Sequence, residues 1–159
     1  MAYCNTDHVN SPDHGHFVTG YIVLVGCGAI SCSVKKQTAT IWSTAEVEYY
    51  TSMHTGQEVA WLHQLLLELG FSPFSTMTLC IDNTSVIHMI TQPNELTHCS
   101  KHICLAYHWI CETAEEMTIA PAYIESSYNV TNILTKLLLY NRHWSLTLGL
   151  GIHACTHAS

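Results

Sequence analysis

The chain has 159 residues, a formal net charge of −7 from 12 acidic residues against 5 Lys and Arg, and an apolar share of 48%. That length suits one domain with a sizeable core, and the apolar share excludes a disordered chain. So few cations exclude a grip on nucleic acid built mainly on phosphate neutralisation.

No apolar run reaches the roughly 20 residues that span a bilayer. The opening stretch AYCNTDHVNSPDH has neither the basic start nor the apolar centre of a signal peptide. The 8 cysteines lack paired CxxC spacings, which points to free thiols rather than a disulfide framework. The expectation is an intracellular protein, cytoplasmic or nuclear, monomeric and without a membrane partner.

Residues 2–7 (AYCNTD) predict a short strand, followed by a polar loop over 9–16. GYIVLV at 20–25 and the alternating residues 29–34 flank a Gly26-Cys27-Gly28 turn and predict a hairpin. A long helix is expected over 43–69. Ser43 or Thr44 starts it, apolar residues recur at Val59, Leu62, Leu65, Leu66 and Leu69, and Gly70 stops it. Trp61, Leu62 and Leu66 are expected in the core. MTLCI at 77–81 predicts a strand, 84–91 a helix ending before Pro93, and 101–116 another helix. Pro121 marks 119–124 as an edge strand. A turn at 125–129 and a short helix over 130–138 complete the pattern, and 139–159 is a loosely patterned tail. A hairpin followed by strands alternating with helices predicts an α/β architecture, a mixed sheet flanked by helices.

Within such a sheet Asp82 stands at the carboxyl end of its strand, where ligand sites form. Asn5 and Asp7 on the first strand and Glu48 on the long helix can converge on it. Clustered carboxylates suit hard divalent cations.

Five words sharpen this reading: GYIVLVGCGAISCSVKKQ, STAEVEYYTSMHTGQEVAWLHQLLLELGF, CIDNTSVI, SKHICLAYHWICE and NVTNILTKLL. In this order and spacing they resemble the ribonuclease H domain of copia-type LTR-retrotransposon polyproteins, from about Tyr3 to Leu150. The resemblance implies a ribonuclease H-like fold with a five-stranded mixed sheet, over residues 1–140, and a polyprotein-type tail over 141–159. It implies hydrolysis of RNA in RNA–DNA hybrids with magnesium or manganese held by four acidic residues. Glu48 and Asp82 match two of those four. Asn5 and Asn132 stand at the other two, and Asp7, in AYCNTDH, matches the second Asp of the family's YSDADW. The metal ligands expected are therefore Glu48, Asp82 and Asp7. An amide offers one neutral oxygen and bridges two ions poorly, so impaired hydrolysis is the expectation. The alternatives are a non-catalytic nucleic-acid-binding or interaction module and a decayed remnant. Lys35, Lys36, Lys101 and His102 match family positions and are the expected contacts to a hybrid backbone.

His16, His63, Gln64, Cys99 and Cys111 occupy positions where the family carries Arg or Lys. Arg to Cys, His or Gln, and Asp to Asn, each follow from one C-to-T change on either DNA strand, so the excess of Cys and His is read as mutational decay. Sister copies lacking a C-to-T bias would refute that reading. A rival is a zinc site from Cys104, His108 and Cys111 at helical spacing, with His98 and His102 nearby.

Overall fold

A β-hairpin opens the fold. Strands β1 (Ala2–Val9) and β2 (His16–Val25) pair antiparallel, and β2 pairs antiparallel with β3 (Gly28–Gln37). The computed structural model describes residues 1–9, 16–37, 44–71, 76–92, 101–116 and 118–153. Helix α1 (Thr44–Glu68) follows, then β4 (Met77–Ile81), α2 (Thr84–Thr91), α3 (Lys101–Glu115), β5 (Ile119–Tyr123), α4 (Asn132–Thr135) and α5 (Tyr140–Gly149). The sheet order is β3-β2-β1-β4-β5, with β1–β4 and β4–β5 parallel. This is the mixed sheet that the sequence predicts. Pro121 lies in β5 at the sheet edge, where its missing N–H costs no ladder bond.

Strand alternation sorts the core into two layers. Ala2, Cys4 and Val23 face α1, α2 and α3, packing with Tyr49, Met53, Val59, Val86, Ile90 and Ile110. Ile22, Tyr3 and Leu24 face the other side, against Val130, Leu146 and Leu150. Between α1 and α3, Gly56 allows close approach: a Cβ there would lie 3.3 Å from the Trp109 ring.

Helix α1 carries small hydroxyls on its buried face, and they bond back along the helix. Thr51 donates to the Val47 carbonyl at 2.7 Å, Ser52 to that of Glu48 at 2.9 Å and Thr55 to that of Thr51 at 2.7 Å. It ends as expected at Gly70, whose φ of +81° is left-handed. Gly70 N–H donates to the Leu67 carbonyl and Phe71 N–H to that of Leu66, a Schellman closure. The predicted apolar stripe is only partly buried. Leu62 is in the core, Leu66 is half-buried, and Trp61 and Leu69 are 58% and 63% exposed. Trp61 lies two residues, about 200°, from buried Val59 and therefore faces outward.

Three boundaries also differ from the sequence reading. Strand β2 begins at His16, inside the expected loop, because Thr19 and Gly20 pair with Thr6 and Asn5. Helix α4 is only one turn, ending where Lys136 turns extended. The loosely patterned tail contains α5, whose Leu146 is buried together with Leu150 just beyond its end. Among the described residues of the tail these two are the buried apolar ones, while Trp144 and Leu148 face outward, so the helical pattern is thin in the sequence.

Candidate active site

Strand β4 stops at Ile81, and β1 runs on beside it. The pairing of Ala2 with Leu79 and of Tyr3 with Cys80, continued along the strands, sets Asn5 level with Asp82. Glu48 comes from the second turn of α1 on one face of the sheet. Asn132 opens α4 on the other. A cleft of about 450 Å³ forms where they meet, lined by Asn5, Thr6, Glu48, Asp82, Asn83 and Lys136 among others.

Glu48 is half-buried, and its Oε2 accepts a hydrogen bond from Asn83 Nδ2. Burial raises the Glu48 pKa above the ordinary glutamate value. The Asn83 bond opposes this, Asp82 adds to it and the Lys136 ammonium opposes it. Asn83 also caps α2, accepting from Ser85 N–H at 2.8 Å, so the residue that starts α2 also orients the acid on α1.

The two amides bind each other. Asn5 Nδ2 donates to Asn132 Oδ1 at 2.7 Å and to Thr135 Oγ1 at 3.2 Å, while Asn5 Oδ1 accepts from Thr6 N–H at 2.8 Å. Asn132 Nδ2 donates to the Ser126 carbonyl. Beneath them Asn129, fully buried, donates to the Cys4 carbonyl at 2.9 Å and accepts from Thr131 through both backbone N–H and hydroxyl. This polar seam joins α4 to the middle of β1. Cys4 itself is no nucleophile: burial pushes its thiol up to about 12.

Of the residues singled out in the sequence, Asn5, Glu48 and Asp82 line this cleft, and Asn132 lies behind it, bonded to Asn5. Asp7 lies one pleat, roughly 7 Å, further along β1 opposite Val18 and does not line the cleft. Among the described residues no three His, Cys, Asp or Glu side chains group as a metal site. Lys35 lines a different cavity, and the neighbouring Lys36 takes the opposite side of β3. The side chains of Lys101, His102 and Cys104, and all of His98, lie outside the described residues. Sequence reasoning missed Asn83 and Lys136 as site residues. Lys136 closes the NVTNILTK word, and Asn83 follows Asp82 directly, so both signals were adjacent to residues already marked.

Five strands in this order, with Asn5 on β1, Glu48 on α1, Asp82 at the end of β4 and Asn132 at the start of α4, define a ribonuclease H-like domain. Two solved structures share the fold. The N-terminal RNase H domain of a Mycobacterium tuberculosis protein, fused to maltose-binding protein, superposes with a TM-score of 0.54 at 11% identity, over 92% of this chain and 96% of that one. LC11-RNase H1 in complex with an RNA/DNA hybrid gives a TM-score of 0.55 at 9% identity, over 81% and 88%. In sequence the chain is homologous to one segment of the retrovirus-related Pol polyproteins of copia-type transposons. It is 31% identical over 154 residues to that of transposon TNT 1-94 from Nicotiana tabacum. It is 30% identical over 138 residues to those of transposons RE2 and RE1 from Arabidopsis thaliana. These alignments cover 96% and 86% of this chain but only 11% and 9% of the polyproteins. No family model matches the chain.

Proposed function

We propose that the chain is a ribonuclease H-like domain in which metal-dependent hydrolysis of RNA in RNA–DNA hybrids is impaired at its ligand set. The observation that carries this reading is the hydrogen bond between Asn5 and Asn132. Two carboxylates at these positions would repel each other and be held together by cations between them. Two amides attract without any cation, and each turns an oxygen to a protein donor. The cleft then offers the carboxylates of Glu48 and Asp82 beside the Lys136 ammonium. That donor set does not fit a two-ion magnesium or manganese centre, which needs several anionic oxygens to offset its charge.

The hybrid is proposed as partner on kinship, and the scarcity of cations argues for weak, salt-sensitive binding. Among the described residues Cys4, Cys27, Cys32 and Cys80 carry free thiols, which supports a reducing, intracellular compartment. The domain is proposed to act as a monomer.

The test is cleavage of a labelled RNA–DNA hybrid with magnesium or manganese, comparing the unaltered chain with Asn5→Asp/Asn132→Asp. The expected outcome is no turnover by the former and magnesium-dependent cleavage by the latter. Comparable cleavage by both would refute impairment. Hybrid binding without cleavage by the unaltered chain would assign it a holding role instead.

A further inference from the structure

On the α1 face of the sheet, away from the cleft, a second cavity of about 340 Å³ opens between α1 and strands β2 and β3. Its size falls at the lower end of small-molecule sites. Lys35 from β3 and His54 from α1 face into it at one end. The Tyr50 ring meets the His54 ring edge to face, with centroids 4.3 Å apart, and presents an aromatic wall. At the other end Glu58 accepts from Ser31 Oγ at 2.7 Å, close to the Tyr21 hydroxyl.

The polarity is therefore divided. Two basic groups share one end, a carboxylate and a phenol the other, and an aromatic surface lies between. Desolvation first, and then repulsion by the nearby Lys35 charge, lower the His54 pKa against an opposing bond with Gln57. An anion seated between Lys35 and His54 removes that repulsion. A bare phosphate leaves most of the volume empty, and an uncharged ring leaves the cationic end unused. We propose that this cavity binds a nucleoside monophosphate, its phosphate on Lys35 and His54, its base against Tyr50 and a donor of the base or sugar on Glu58. The cavity and the cleft share no lining residue, and Thr51 of the one bonds Thr6 of the other at 3.0 Å, so this site stands independently of the hydrolytic reading.

Histidine-edited NMR of the whole chain, with the His54 signal assigned through His54→Asn, tests it by titration with adenosine monophosphate, adenosine and inorganic phosphate. The groups facing His54 during titration are Lys35 of β3, Tyr21 of β2 and Gln57 and Glu58 of α1. Adenosine monophosphate should give a saturable shift and raise the His54 pKa, more tightly than either fragment. Lys35→Ala, at an exposed strand position, should weaken it roughly tenfold, the loss of one charge-assisted contact. Glu48→Gln should leave it unchanged. The absence of a saturable shift at millimolar nucleotide, equal binding of adenosine or phosphate alone, or full affinity in Lys35→Ala would overturn the assignment.

Discussion

Glu48 gives the cleft a pH dependence of definite sign. Its pKa is raised in the folded chain, chiefly by burial, so between the ordinary and the raised value the folded state holds a proton that the unfolded state has released. The contribution of Glu48 to stability is complete below the ordinary glutamate range and erodes as pH rises through the raised value. Glu48→Gln keeps an oxygen for Asn83 and removes the charge. It should raise Tm at about pH 7 and leave it unchanged at about pH 4, as thermal unfolding at the two pH values would show. An equal effect at both values would contradict burial as the cause. The carboxylates of this site were legible in the sequence because acidic residues in familiar words are conspicuous. The bonds of Asn83 and Asn132 were not, because an amide's partner depends on which elements fold against it. Asp7 looked equivalent to Asn5 by strand alternation alone. Only the end of β4 at Ile81 decides which of the two reaches the cleft.

At the scale of elements, glycine positions separate conformation from contact. Gly151 has a φ of +75°, and a Cβ there would lie 1.9 Å from the Cys27 carbonyl oxygen, a rigid backbone atom of the β2–β3 turn. Gly151→Ala should lower the unfolding free energy by roughly 1–3 kcal/mol through that clash. Gly149→Ala meets only Val130 Cγ1 at 3.6 Å, an ordinary contact inside α5, and should be neutral or mildly stabilising. Urea midpoints of the two variants give the comparison, and equal midpoints would remove the clash from the account. Most elements could be read from the chain because periodicity, Gly70 and Pro121 are local signals. The start of β2 could not, since it is polar and fixed by pairing with β1, nor could α5, whose partner Ile22 is distant in sequence.

For the whole molecule, the second core layer rests on the C-terminal segment. Leu146 and Leu150 pack against Ile22 and Val130 across the sheet from α1. Ending the chain at residue 139 should cost roughly 3–6 kcal/mol from those two leucines alone, a large share of a domain's net stability. Chemical denaturation and dye binding to exposed apolar surface would register the loss. Unchanged stability would make residues 140–159 a dispensable tail. The paired amides carry a consequence on a longer timescale. Asn5→Asp alone sets a carboxylate against the Asn132 oxygen. Asn132→Asp alone sets one against the Ser126 carbonyl, so each exchange leaves a buried mismatch that only a cation relieves. Recovery of carboxylates at both positions is therefore conditional on the ion: Asn5→Asp/Asn132→Asp should gain Tm from added magnesium, whereas the unaltered chain should not.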